Sequence, residues 1–274
     1  MLHKNITFIG AGNMASSIIS GLIKGGYSSD AICASGPNAQ TTDKLVQQFS
    51  IKGSQDNAAS AEWAEVIVLA VKPQIMAIVC QALAETGIDF SKKLVISIAA
   101  GISVKRLQSL LGSDTPIIRT MPNTPSLLQK GMAGLYASQQ VDEENKVFAS
   151  ELMKAVGEMI WVEEESMIDA VTATSGSAPA YFFLFMEAMH AKAQEMGFSD
   201  EQARLLVLQT ALGSAEMVKH NPDISIGKLR ENVTSKGGTT AAALNTFNEL
   251  GLTEIVAKSM QAAADRGAEM EKLF

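Results

Sequence analysis

The chain has 274 residues, of which 47% are hydrophobic, with a formal net charge of −7 and only two cysteines. That length holds one large core or two modest ones. An acidic balance without any run of Lys or Arg excludes nucleic-acid and anionic-membrane surfaces, both of which need clustered positive charge. The partner to expect is a small molecule.

No apolar stretch approaches the roughly 20 residues that cross a bilayer. The opening MLHKNITFIG runs straight into a strand pattern and leaves no room for a signal peptide, so the expected location is cytoplasmic. Residues 5–9 (NITFI) read as a strand, and GAGNMASSIISGLIKGG after it reads as a helix with Ile18, Ile19, Leu22 and Ile23 on one face, closed by Gly25 and Gly26. AICAS (31–35) is a second strand and residues 42–49 a second helix. EVIVLAVKP (65–73), KLVISIAAG (93–101) and PIIRTMP (116–122) follow as strands, their consecutive apolar residues marking burial on both faces. Strands alternating with helices predict an α/β fold with a parallel, doubly wound, Rossmann-type sheet.

Beyond MIWVEEESMID (159–169) the pattern is helical throughout, which predicts a nucleotide-binding domain over 1–163 and a helical dimerisation and substrate domain over 164–274. The helix SAPAYFFLFMEAMHAKAQEMG (177–197) carries Pro179 in its first turn and stops at Gly197. Its first half is apolar around most of its circumference, more than a domain of about 110 residues can cover, so a partner subunit is expected against it. Ser199 with Gln202 forms a capping box that opens a helix toward His220, and Asn221-Pro222 closes it. Cys33 and Cys80 lie in apolar segments as small buried thiols, His3, His190 and His220 are scattered, and no metal site is expected.

GAGNMA, residues Gly10, Ala11, Gly12, Asn13, Met14 and Ala15, sits where a strand opens into a helix. Gly10 permits the turn, Gly12 lets a pyrophosphate reach the backbone, and Ala15 stands for the third glycine at the helix-strand contact. A glycine turn without ligand is the alternative. After the second strand come Ser35, Gly36, Pro37 and Asn38, with no carboxylate to hold a ribose 2′-hydroxyl or repel a 2′-phosphate, which points to NADPH and leaves NADH open. Lys72 in AVKP either touches cofactor or substrate or is a solvated strand-end lysine. Asn123 in MPNTP is placed to aim an amide at the nicotinamide region, with a structural turn as the other reading.

Near the C-terminus, SKGGTT (235–240) opens another helix. A carboxylate is expected there on the amides of Gly238, Thr239 and Thr240 and on the Ser235 hydroxyl, with TSGSAP (174–179) and its Ser177 as a facing loop. Both loops also read as plain helix caps. Neither contains a His, and Lys236 alone among their residues is a Lys, placed on the loop exterior. A substrate that already carries its proton, such as a cyclic iminium, needs only an anchor, a hydride donor and a hydroxyl near nitrogen. Thr240 is the candidate for that hydroxyl.

The ordered set FIGAGNMA, VKPQ, SIAAGIS, RTMPNTP, SGSAPAY and LRENVTSKGGTTAAAL resembles pyrroline-5-carboxylate reductase over nearly the whole chain, the last segment most specifically. The resemblance implies NAD(P)H-dependent reduction of 1-pyrroline-5-carboxylate to L-proline, the final step of proline biosynthesis. It also implies a helical domain of the 6-phosphogluconate dehydrogenase C-terminal kind that interlocks with its twin in a homodimer, with further assembly to a decamer. By position it puts cofactor contacts on Gly10 to Ala15, Ser35, Asn57 and Ala70, Val71, Lys72 and Pro73, and the substrate carboxylate on Ser235, Gly238, Thr239 and Thr240. Lys236 departs from the family, where many relatives have proline. Two competing readings are a β-hydroxyacid dehydrogenase, whose lysine on the helix after the Gly/Ser loop finds only Lys192 about four turns in, and a non-catalytic NADPH-binding regulator.

Overall fold

In the computed structural model, which describes residues 3–273, an eight-stranded sheet takes the order β3-β2-β1-β4-β5-β6-β7-β8. Its strands are β1 (Ile6–Ile9), β2 (Ile32–Ser35), β3 (Lys52–Ser54), β4 (Val66–Leu69), β5 (Leu94–Ser97), β6 (Ile117–Met121), β7 (Gly131–Ala137) and β8 (Gly157–Trp161). The helices between them are α1 (Asn13–Lys24), α2 (Ala39–Phe49), α3 (Asn57–Trp63), α4 (Pro73–Ala84), α5 (Val104–Leu111) and α6 (Glu143–Lys154). Val66 and Val68 face a core with Ile18, Leu22 and Phe148, whereas Ile67 and Leu69 face one with Met76, Cys80 and Leu107. Each strand of the middle thus buries both faces, which is why its apolar residues run consecutively.

The expected doubly wound sheet is present, with one antiparallel pairing that the sequence does not announce. β1 to β6 pair in parallel, but β7 runs antiparallel to β6, and β8 is parallel to β7. Only a short 3-10 turn, Thr124–Leu128, separates β6 from β7, too few residues for the crossover a parallel pair needs. α6 supplies that crossover between β7 and β8. β7 is hidden in the sequence by Gly131 and Gly134, and Gly134 is required: a Cβ there would stand 2.6 Å from the Val171 methyls.

α7 (Met167–Val171) passes through a π-helical turn, Thr172–Gly176, into α8 (Ala178–Glu195). The Gly/Ser loop expected over 174–179 is therefore a widened helical turn, closed by the Ser177 amide on the Thr172 carbonyl at 2.8 Å. Thr172 and Ser175 hydroxyls donate to the carbonyls of Ile168 and Val171 (2.8 and 3.0 Å), and Gly176 packs so closely that a Cβ would meet Met121 Cε at 2.6 Å. α9 (Asp200–Lys219), α10 (Ile226–Asn232), α11 (Thr239–Glu249) and α12 (Leu252–Leu273) complete the chain. The Ser199–Gln202 capping box is present. No helix among the described residues is long and apolar enough to cross a membrane.

Contacts group the chain into two compact units, one running to Pro179 and resuming at Ala262, the other spanning Ala180–Gln261. The last strand, β8, ends at Trp161. Among the described residues of the second unit only Ala203 and Val207 are buried hydrophobics, while Phe182, Phe183 and Leu184 are 68%, 61% and 67% exposed. The circumferentially apolar α8 is thus left uncovered by its own chain, as its sequence requires of a helix that packs on a partner.

Candidate active site

In the first unit, β1 delivers Gly10 at the point where the strand order reverses between β1 and β4, the ligand position of open α/β sheets. Gly10 has φ +105 and donates to the Ser35 carbonyl at 2.8 Å; a Cβ on it would lie 2.6 Å from the Ala70 carbonyl oxygen. No other residue fits there. Gly12 is different: as the N-cap of α1 it supplies no side-chain cap, and a Cβ on it would meet nothing within 4 Å. The first amides of α1 lack intrahelical partners and face open space, the arrangement that takes an anion. Asn13 beside it is exposed, Ala11 and Met14 pack partly on the core, and Ala15 is buried against it.

Ser35 and Asn57, expected apart from each other as cofactor contacts, meet: the Ser35 hydroxyl donates to Asn57 Oδ1 at 2.7 Å. The nearby Asp56 carboxylate is spent on capping α3, accepting the Ala59 amide at 3.0 Å. Ala70 to Pro73 carry β4 into α4, with Lys72 as an exposed N-cap and Pro73 in the first turn. Residues at this edge therefore suit a dinucleotide: a glycine cradle for pyrophosphate and a hydroxyl–amide pair rather than a carboxylate at the end of β2.

Asn123, expected at the nicotinamide region, is held by its own chain: its Nδ2 donates to the Ser175 carbonyl (3.0 Å) and its Oδ1 accepts the Met132 amide (2.9 Å), and the residue is 8% exposed. The carboxamide stitches the loop after β6 to the π-helical turn and to β7.

In the second unit, Gly238 caps α11 without a side chain, after Gly237 at φ +71. The Gly238 amide donates to the Ser235 carbonyl at 3.0 Å. Gly238 is also needed for closeness, since a Cβ on it would come within 2.4 Å of Ser235 Oγ. Of the other groups expected around a carboxylate, Ser235, Thr239 and Thr240 are all exposed, beside exposed Lys236. Ser177 belongs to the first unit, where it lines a cavity of ≈ 240 Å³ with Gly101, Met121, Asp169, Thr172 and Arg266.

Residues 165–270 match the model of pyrroline-5-carboxylate reductase dimerisation, and residues 5–101 that of NADP oxidoreductase, coenzyme F420-dependent. A pyrroline-5-carboxylate reductase of Vibrio alginolyticus is 57% identical over 274 residues, the full length of both chains. The chain belongs to the pyrroline-5-carboxylate reductase family. Among solved structures, a pyrroline-5-carboxylate reductase from Coxiella burnetii is 41% identical over 98% of each chain with TM-score 0.92. A pyrroline carboxylate reductase from Plasmodium falciparum with NADP bound is 29% identical over 99% of each, with TM-score 0.88. The Rossmann-type sheet followed by a helical dimerisation region, read from the sequence, is the architecture of this family.

Within that family frame the sequence reading passed over Arg119, Glu165, Asp169 and Glu271, which form an ionic cluster of one buried guanidinium and three half-buried carboxylates next to the Ser177 cavity. A signal existed: an arginine inside PIIRTMP, a strand whose neighbours are apolar, must find counter-charges. Burial, then the carboxylates of Glu271 and Glu165, push the Asp169 carboxyl above its ordinary value despite Arg119. Burial likewise pushes the Cys80 thiol up to about 12, which leaves it protonated and inert, as its apolar segment implies.

Proposed function

We propose that the protein reduces 1-pyrroline-5-carboxylate to L-proline with NADPH, the last step of proline biosynthesis, with NADH as a possible second donor. The reading is carried by two helix starts capped by glycine alone, Gly12 and Gly238, in a chain whose full length matches enzymes named for this reaction. NADPH, when bound, supplies the hydride that reduces the imine carbon. Gly10 to Ala15 seat the pyrophosphate, Ser35 with Asn57 takes the phosphorylated ribose, and Ala70, Val71, Lys72 and Pro73 border the nicotinamide half. Ser235, Thr239 and Thr240 anchor the substrate carboxylate through a hydroxyl and two amides, aided by the α11 dipole, and Ser177 contributes a hydroxyl from the π-helical turn. The substrate enters as the iminium with the proton already on nitrogen, so hydride addition gives the neutral amine without a separate acid, and the Thr240 hydroxyl accepts a hydrogen bond from that N–H. Residues 164–274 act as the dimerisation and substrate domain, two copies interlock through α8, dimers assemble further to a decamer, and the enzyme works in the cytoplasm.

The test is loss of NADPH absorbance with 1-pyrroline-5-carboxylate, repeated with Thr240→Ala. The variant is expected to lose about 10- to 100-fold in kcat/KM, the worth of one charge-assisted contact, with NADPH affinity unchanged. An unaltered kcat/KM would remove Thr240 from the reaction, and no turnover by the parent protein would leave NADPH binding as its only activity.

A further inference from the structure

Arg119 heads the largest side chains that are fully buried, at 1% exposure in the middle of β6. Taking a guanidinium out of water costs several kcal/mol unless carboxylates and hydrogen bonds replace the water. Three carboxylates converge on it: Glu165 Oε1 at 3.1 Å from Nη1, Glu271 on the same Nη1, and Asp169 Oδ1 at 3.5 Å from Nη2. Glu165 Oε1 also accepts the Val104 amide at 2.7 Å, which fixes the start of α5. One side chain therefore gathers β6, the segment leading from β5 into α5, the start of α7 and the end of α12, which are far apart in sequence.

The same segments wall the ≈ 240 Å³ cavity at the carboxyl edge of the sheet, through Gly101, Met121, Thr172 and Gly267. α12 lies directly on them. A Cβ on Gly101, at φ +69, would be 2.6 Å from Met270 Cβ, and one on Gly267 would be 2.9 Å from Asp169 Oδ1. An apolar cluster of equal volume would hold these segments together at least as firmly. What the ionic set adds is a fixed geometry, because the planar guanidinium donates from Nη1 to the Glu165 and Glu271 carboxylates in defined directions.

We propose that Arg119 is a positioning residue for the reduction: with Glu165, Asp169 and Glu271 it clamps the last turns of α12 onto the ends of β5 and β6 and so sets the shape of the cavity at the carboxyl edge. This rests on the reading of that edge as the place where the imine is reduced. Three acids on one guanidinium leave surplus negative charge, and Arg266, the other cation on the cavity wall, is paired with Glu269 at 2.8 Å. Protonation of Asp169, held above its ordinary value, relieves the surplus. The Asp169 contribution taken by itself follows the sign of that shift: it is present below the ordinary carboxyl value and is lost as pH rises through the raised one.

The experiment compares Arg119→Lys, Glu271→Gln and Asp169→Asn in the full chain, reading kcat and KM for 1-pyrroline-5-carboxylate, NADPH Kd, and hydrogen exchange over residues 262–273. Arg119→Lys keeps the charge and loses the fork; kcat is expected to fall about tenfold and exchange to rise about tenfold while NADPH Kd stays within about twofold. Glu271→Gln should repeat the pattern more weakly, and it carries the test if the lysine variant does not fold. Asp169→Asn should remove the loss of protection as pH rises through the raised Asp169 value, read as protection factors, with the intrinsic pH dependence of amide exchange divided out. Faster exchange with unchanged kcat and KM would make the cluster purely structural and overturn the proposal, as would unchanged exchange in both charge variants. Absence of turnover in the parent protein would overturn the proposed function itself, and the positioning role with it.

Discussion

Gly12→Val is expected to weaken NADPH binding on the order of 100- to 10,000-fold, the loss of two or more charge-assisted hydrogen bonds at roughly 1.5–3 kcal/mol each between phosphate and the α1 amides. The fold should barely notice. Gly12 has φ −81 and ψ −177, an extended conformation any residue adopts, and a Cβ there meets no atom within 4 Å. The remaining cost is a poorer N-cap, about 1 kcal/mol, or about 2–4 °C in Tm for a chain of this size. Gly10→Ala two residues away should behave in the opposite way. Its φ of +105 and a Cβ 2.6 Å from the Ala70 carbonyl make alanine strained and overpacked, at about 1–3 kcal/mol for the clash alone, so Tm falls together with binding. Titration of cofactor fluorescence beside a thermal melt separates the two. If Gly12→Val binds NADPH as the parent does, the open space before α1 is not where the pyrophosphate lies.

What could be read from the sequence, and what could not, divides along the range of the interactions. β4 and β5 announce themselves because VIVL and LVIS must be buried on both faces, and the structure places every one of those residues in the core. The glycine loop is local too: strand, turn and helix follow one another directly, from Ile6 to Lys24. β7 escaped because its glycines answer to Val171 and Ser126, side chains that touch it only in the fold. Asn123 shows the same limit from the other side. Its position between two prolines suggested a ligand, and only the contacts to Ser175 and Met132 reveal a structural tie. Ser35 and Asn57 are each placed by a resemblance, and their pairing is shown only by the structure, since nothing in the spacing of 22 residues announces it. At Gly238, closeness to Ser235 determines the residue and its amide bonds within the turn, contacts that the string SKGGTT does not announce. Arg119 is the extreme case, with partners 46, 50 and 152 positions away; the first and last of these spacings belong to hydrogen bonds of the cluster and the middle one to the Asp169 ion pair.

Phe183→Asp on α8 is expected to raise the dimer dissociation constant by about 10,000-fold or more. Phe183 is 61% exposed in a unit whose own chain buries almost none of its apolar residues, so a second copy has to supply the cover. Burying one such side chain is worth about 1.5–3 kcal/mol, and a carboxylate set in the same place adds an unpaired charge in an apolar interface. In a twofold dimer the change occurs twice across one interface, which doubles the effect to about 3–6 kcal/mol, and the two unpaired charges add to it. Sedimentation of the variant should therefore show monomer where the parent is dimeric. The nucleotide loop belongs to the other unit, built on the two-faced sheet core around Val66 to Leu69, so NADPH binding should persist in the monomer. Turnover should not persist, because a helical unit without its cover has no core to hold Ser235, Thr239 and Thr240 in place. A variant that remains dimeric would place the dimer contact elsewhere, and one that is monomeric yet fully active would show that the substrate seat is complete within a single chain.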